Sequence, residues 1–169
     1  MTMLEPTAPS VAAVTLRPAR PEDRPFLFRV YASTRREELL PLGWDDEATR
    51  AFLWAQFEHE DRDWMLHQPG AECMVVLRDG SPVGRLYLAR SPQEIRVMDL
   101  TLLPEHRGRG IGRRLLGALL DEARSTRRTV RMNVGRASPM VELCRKLGFL
   151  PAATRGGQWL MEWTAEVSR

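Results

Sequence analysis

The 169-residue chain holds only two cysteines, Cys73 and Cys144. Two thiols so placed give no disulfide framework and no metal-ligand spacing. No apolar run approaches the roughly 18 residues that would suggest a membrane span. A basic segment followed by an apolar one, the mark of a secretory leader, is missing at the amino end. Residues Met1 to Ala13 are mixed and interrupted by Pro6 and Pro9, which reads as a loose tail over residues 1–12 ahead of one domain over 13–169. A cytoplasmic protein that makes no membrane contact is the expectation. Lysine is nearly absent, so the basic side chains are almost all arginine, and no Gly-Lys pair occurs anywhere. That last absence excludes a Walker-type phosphate loop. There is also no internal repeat and no linker-like stretch.

What is present fits a globular domain, with 43% hydrophobic and 28% charged residues. The net charge is only +3 although the pI is about 9.4. Basic residues concentrate between Arg107 and Arg136, a cluster suited to an anion without saying which one. The hydrophobic pattern predicts a strand over Val11–Leu16, then a helix opened by Pro21-Glu22-Asp23 and broken at Pro41-Leu42-Gly43-Trp44. Asp45 or Asp46 then caps a second helix. Trp54 and Trp64 read as packing residues. Strands follow at Cys73–Leu77 and Val83–Leu88, joined across Asp79-Gly80, a strong hairpin signal. A third strand, Ile95–Leu103, completes an antiparallel meander. A helix from Gly110 to about Arg124 and a strand at Thr129–Val134 then form a β-α-β unit. A short helix follows, with Ser138 as cap, Pro139 in its first turn and Gly148 at its end. Phe149-Leu150 and Gln158–Trp163, around a Gly156-Gly157 turn, complete an α+β domain.

The loop Arg107-Gly108-Arg109-Gly110-Ile111-Gly112 lies between a strand and a helix. Glycine lets the backbone turn tightly and lets a ligand approach the main chain. The first N–H groups of the helix have no internal partner and carry the positive end of its dipole. A pyrophosphate docked there receives several hydrogen bonds at once, with Arg107, Arg109, Arg113 and Arg114 on the rim. A dinucleotide fingerprint would require its third glycine at position 113, where Arg113 stands. The following strand also lacks the acidic residue that would hold a ribose.

These residues resemble the GCN5-related N-acetyltransferases. That family's Arg/Gln-x-x-Gly-x-Gly/Ala signature is matched by Arg107, Gly110 and Gly112. The surrounding phrase from Asp99 to Gly112 is similar throughout. A second signature is matched in part by Leu143-Cys144-Arg145-Lys146-Leu147-Gly148-Phe149. The order of elements from about Val14 to Trp163 agrees as well. The resemblance implies a mostly antiparallel, mixed central sheet flanked by helices. It also implies a β-bulge that splays the Ile95–Leu103 strand from its parallel neighbour and opens an acetyl-CoA cleft.

It further implies that acetyl-CoA, as co-substrate, is held by the backbone of Leu100, Thr101 and Leu102 and by residues 107–113, with Ser138 near the second helix start. A primary amine of a small molecule or peptide then attacks the thioester directly. The developing oxyanion is assigned to the Leu102 backbone N–H, a preorganised donor. Asp99, a carboxylate in an otherwise apolar strand, is the first candidate for the base, ahead of Glu142, Glu72, His106 and water. Cys144 stands where the family usually has tyrosine. Its thiol, with an ordinary pKa of about 8.5, is either the acid that protonates the leaving sulfur or a small core residue. The family's asparagine near this helix is replaced by Ala137-Ser138.

The acceptor is expected between Tyr31 and Trp64, where Arg35, Arg36, Glu37, Glu38, Trp44 and Asp45 lie. Two rival functions remain: a non-catalytic acyl-CoA binder, motivated by Cys144, and a basic nucleic-acid module, motivated by the arginine cluster and ranked third. Trp159 and Trp163, read as exposed aromatics, leave a homodimer open.

Overall fold

The computed structural model describes residues 12–165. All but the last residue of the expected tail, and with it the first residue of the expected first strand, Val11, lie outside the described residues. Among the described residues seven strands form one sheet in the order β1-β2-β3-β4-β5-β7-β6. They are β1 (Val14–Pro18), β2 (Ala71–Arg78), β3 (Ser81–Arg90), β4 (Glu94–Leu102), β5 (Thr129–Gly135), β6 (Leu150–Arg155) and β7 (Gln158–Trp163). Four helices flank it: α1 (Arg24–Leu39), α2 (Asp46–His67), α3 (Ile111–Thr126) and α4 (Met140–Lys146). Every strand pair is antiparallel except β4–β5.

Local chemistry accounts for the turns. Asp79 and Gly80 both adopt positive φ, 49° and 80°, as the tight β2–β3 hairpin requires. Gly43 ends the first helical segment in the left-handed region. The Asp45 carboxylate accepts from the Ala48 N–H at 2.7 Å and so caps α2, settling the choice between Asp45 and Asp46. α4 begins at Met140, one position later than expected, so Pro139 rather than Ser138 stands at its N-cap, and the Ser138 hydroxyl accepts from the Met140 N–H at 3.2 Å just ahead of it. The strand expected to begin at Phe149 starts at Leu150 and runs on to Arg155.

Two layers of apolar packing cover the sheet. On one face Leu27, Phe28 and Tyr31 of α1 and Leu53 and Phe57 of α2 meet Val75. On the other, Ile111, Leu115, Leu116, Leu119, Leu120 and Ala123 of α3 lie over Ile95, Val97, Val130 and Met132. The i, i+4, i+5, i+8, i+9 spacing of the α3 stripe is what gives this helix one buried side. Trp163 belongs to this core at 6% exposure, and Trp159 packs against it. The expectation that both are exposed is therefore corrected: their side chains alternate into the α3 layer or against its rim instead of facing solvent.

One buried ion pair fixes the start of α1. Asp23 accepts from Arg17 Nη1 and Nη2 at 2.6 and 2.9 Å and from the Arg20 N–H at 2.7 Å. The Arg17 guanidinium holds this carboxyl well below its usual range, at about 2. A folded-state pKa below the unfolded one stabilises above the unfolded value and loses its effect as pH falls towards the folded value. Asp23→Asn is thus expected to cost about 1–3 kcal/mol at pH 7. Its melting curve should converge with that of the wild type between about pH 4 and pH 2. A mutant deficit that persisted unchanged through that window would show the carboxylate's charge to be immaterial.

Candidate active site

The bulge implied by the family resemblance is present. Tyr87 pairs with Asp99 and Leu88 with Val97, so Met98 is the extra residue on β4. The same position ends the contact with β5: parallel pairing runs only from Glu94↔Thr129 to Val97↔Met132. Beyond it β4 keeps β3 as its sole sheet neighbour, while β5 continues to Gly135 against β7. The two central strands diverge into a cleft.

Hydrogen-bond alternation tells which groups face that cleft. Gly84 is paired with Leu102, and the Leu103 N–H donates to the Val83 carbonyl at 2.9 Å. This is the pattern of a non-hydrogen-bonded antiparallel pair, in which the residue's own N–H and C=O point away from the partner strand. Leu102 and, two residues back, Leu100 therefore turn their backbone groups away from β3, towards the side that β5 has left. The Leu102 carbonyl is taken by Arg107 Nε at 2.9 Å. Its N–H has no partner among the described residues.

Gly84 makes this geometry possible. A Cβ there would lie 2.4 Å from the Thr101 carbonyl oxygen and 2.7 Å from Leu102 Cδ2. Sequence reading passed over this glycine, although a lone glycine inside an apolar strand run is a known sign of close backbone approach.

The β4–α3 connection forms a short 3₁₀ turn at Pro104–His106 and then the glycine loop. Gly108 and Gly110 have φ of 68° and 79°, and nothing lies within 4 Å of where their Cβ atoms would be. Gly110 is the N-cap of α3 and its carbonyl accepts from the Arg114 N–H at 3.1 Å. The N–H groups of residues 108–113 have no partner among the described residues. This is an open, backbone-lined concavity at the positive end of a 16-residue helix. Gly112 is more confined, with Leu143 Cδ2 at 3.6 Å from its would-be Cβ.

The arginine cluster divides in two. Arg124, Arg128 and Arg131 pair with Asp121, Glu122, Glu94 and Glu162, and Arg136 stacks on Trp159. Around the loop, Arg107, Arg109, Arg113 and Arg114 have no carboxylate within ion-pair distance among the described residues; Arg114 instead donates to the Ala12 carbonyl. Four arginines without carboxylate partners among the described residues thus gather at the loop rim.

The catalytic candidates sit in contrasting places. Asp99 Oδ2 accepts from Arg85 Nε at 2.6 Å and Oδ1 accepts from the Thr101 hydroxyl at 2.9 Å. Arg85 is 4% exposed and is enclosed by the rings of Tyr87, Tyr31 and Trp64, at 5.0, 5.4 and 5.8 Å. Cys144 is wholly buried, with its sulfur 3.7 Å from Met132 Sδ, and burial pushes its thiol up to about 11. Among the other base candidates, Glu142 pairs with Lys146 and Glu72 with Arg90, while His106 Nδ1 is buried without a partner.

In the acceptor segment Arg35 pairs with Glu60 and Arg36 with Asp46. Glu37 and Glu38 face solvent. Trp44 is exposed and meets Phe52 edge-on. Sequence reading missed the residues that gather beneath α2: Arg85, Tyr87 and Asp61. The Tyr87 hydroxyl donates to Asp61 Oδ1 at 2.8 Å, and burial pushes the Tyr87 phenol upward. The available signal was Arg85 itself, a charge in the middle of the apolar run Val83–Leu88. Trp64 packs against Tyr87 as expected but also lines a cavity with Gln68, Arg96, Val97, Met98 and Asn133.

The acetyltransferase (GNAT) family profile matches residues 27–149, and the chain belongs to that family. A PaiA N-acetyltransferase from Thermoplasma acidophilum, solved in complex with coenzyme A, is 18% identical with a TM-score of 0.68, covering 90% of this chain and 99% of that one. An acetyltransferase from Thermus thermophilus is 19% identical with a TM-score of 0.63, over 92% and 99% of the two chains. A GCN5-related N-acetyltransferase from Rhodopseudomonas palustris is 22% identical with a TM-score of 0.62, over 95% and 100%. No curated protein matches the chain by sequence. Among the described residues no helix is long and apolar enough to cross a membrane, and no group of three or more metal-ligating side chains occurs.

Proposed function

We propose that this acetyltransferase binds acetyl-CoA at the Gly108–Arg113 loop and transfers its acetyl group to a primary amine entering from the α2 side of the cleft. The observation that carries the proposal is the coincidence of two features at the ends of one strand segment. The bulge at Met98 opens β4 from β5, and a few residues on, unpartnered N–H groups crown α3 among four arginines without carboxylate partners. The donor set suits a pyrophosphate: multiple main-chain N–H groups, two glycines whose Cβ positions are empty, and delocalised positive charge at the rim. The bound thioester supplies an activated acetyl group.

This chain's residues would act as follows. Arg107, held to the Leu102 carbonyl, ties the loop to the end of β4 and keeps the neighbouring Leu102 N–H free. That N–H is the proposed donor to the acetyl carbonyl oxygen as negative charge develops there; one such donor lowers the barrier by about 3 kcal/mol. Leu100 and Thr101 would flank the ligand through their main chain, and Ser138, whose hydroxyl accepts from the Met140 N–H just before α4, would shape the far wall.

Asp99 is better suited to positioning than to proton removal, since both its oxygens are engaged and it balances the buried Arg85. Cys144 is better suited to packing. The amine's proton then leaves through water in the open cavity. Cys144→Ala should lower the melting temperature by a few degrees and leave kcat and its pH profile unchanged. Asp99→Asn should leave Arg85 uncompensated and cost about 3 kcal/mol or more, without removing a limb from the pH profile. Loss of a limb in either variant would instead make that residue the proton carrier.

The direct test of the proposal is thermal melting with acetyl-CoA, NAD and ATP in parallel. A ligand at 100 times its Kd adds about 2.7 kcal/mol, several degrees for a domain of this size. The expected result is a shift with acetyl-CoA alone. Equal shifts with all three would reduce the loop to a general polyanion site, and no shift would make the glycine turn purely structural.

A further inference from the structure

The cavity beside the bulge has a volume of about 160 Å³ and is walled by Trp64 and Gln68 from the end of α2, by Arg96, Val97 and Met98 of β4, and by Asn133 of β5. It lies where β4 and β5 part, on the face covered by α2. Its charge balance is one-sided. Glu94 and Glu162 both engage Arg131, at 2.8 and 2.7 Å. Asp99 is committed to Arg85. Asp61 accepts from Tyr87 and from Arg24. Each carboxylate on the surrounding strands and on the end of α2 that faces the sheet is thus matched. Arg96 has neither an ion pair nor a side-chain hydrogen bond among the described residues, and it is half-buried in the cavity wall.

A half-buried guanidinium with nothing to balance it is a site that awaits an anion. Its planar fork matches a carboxylate in two parallel hydrogen bonds. The amides of Gln68 and Asn133 add neutral donors and acceptors, and Trp64, Val97 and Met98 give an apolar wall. In the segment where the acceptor was expected, Asp45 caps α2, Asp46 meets Arg36 and Glu60 meets Arg35, while Glu37 and Glu38 face solvent.

We propose that the acceptor is a small amine bearing a carboxylate, of the amino-acid type, seated with its carboxylate on Arg96 and its side chain against Trp64. This rests on the acetyl-transfer reading above. In the step itself the amine nitrogen bonds to the acetyl carbonyl carbon and the thioester C–S bond breaks. Of the two protons the ammonium gives up, one goes to water and the other ends on the sulfur of coenzyme A.

The test compares amino acids with their own carboxamides, which keep the amine and side chain but lose the charge. Ethanolamine phosphate and spermidine serve as further probes, and thiol release from acetyl-CoA is the readout. The carboxylate member of at least one pair should be used with a kcat/KM about tenfold or more above its amide. Arg96→Gln should bring that ratio close to one by raising the amino acid's KM, while the melting shift produced by acetyl-CoA stays in place. Three outcomes overturn the inference and leave the acetyl-CoA reading standing. These are amides used as well as acids, preferential use of ethanolamine phosphate or spermidine, and an acetyl-CoA melting shift with no amino acid turned over. A ratio that survives Arg96→Gln also overturns it. Absence of the acetyl-CoA shift in the wild type removes the reading beneath it as well.

Discussion

Gly110→Asp is expected to abolish the acetyl-CoA-dependent rise in melting temperature and to lower kcat/KM for acetyl-CoA by about 100-fold or more, equivalent to roughly 2.7 kcal/mol. Gly110 has a φ of 79° at the N-cap of α3, a conformation that aspartate tolerates better than most residues. The space at its Cβ is empty, so the substitution meets no steric barrier and its cost to the fold should be about 1 kcal/mol. What changes is the charge. A carboxylate would stand at the mouth of the unpartnered N–H groups, where aspartate is a favoured cap and would occupy them itself. It would also repel the incoming pyrophosphate. Gly110→Asn controls for shape without charge and should retain part of the shift. A folded Gly110→Asp protein that still shifted with acetyl-CoA would move the cofactor elsewhere.

Gly84→Ala is the second large effect, and it acts through the sheet. The added methyl would meet the Thr101 carbonyl oxygen at 2.4 Å and Leu102 at 2.7 Å. A carbonyl oxygen in a strand has little room to retreat, so β3 and β4 must separate locally. Overpacking of a buried site costs about 1–3 kcal/mol, here coupled to a displacement of Leu102, whose N–H is the proposed oxyanion donor. Melting should fall by about 5 °C or more, and kcat should fall beyond what the unfolded fraction accounts for. The wild-type acetyl-CoA shift should largely persist, because the phosphate loop is anchored on α3. A variant with normal melting and normal kcat would mean that the sheet accommodates the methyl and that the close approach has no consequence.

Much of the fold was legible in the sequence because its signals are local. Asp79-Gly80 dictates a hairpin whatever surrounds it, and the α3 stripe identifies its buried side by spacing alone. The phosphate loop was legible for the same reason: glycines, a strand before and a helix after are all within reach of one another along the chain. The bulge was not readable from Met98 itself, and only the family resemblance suggested it. The fate of single polar residues depends on partners far away in sequence. Asp99 looked like a free carboxylate until Arg85, fourteen positions earlier, came alongside it. Cys144 resembled a candidate acid by its place in a motif, yet the helix turns it onto Met132. Trp163 illustrates the converse, since a terminal aromatic looks exposed until the strand's alternation sends it under α3. Arg96 carried no signal at all, because a lone arginine on a strand has significance only when its neighbours' charges are accounted for.

The divergence of β4 from β5 also changes how the sheet would look to solvent. In a seven-stranded sheet, amide hydrogens of the central strand ordinarily exchange last, because they open only when the whole domain does. Here the Leu100 and Leu102 amides lie in the fourth of seven strands yet have no strand to donate to. Deuterium should enter them as if they were at a rim, while Thr101 between them, locked to Arg85 in the β3 ladder, stays protected. Fast, slow and fast amides in succession would mark the cleft from within, and a ligand lying along it would slow the fast ones.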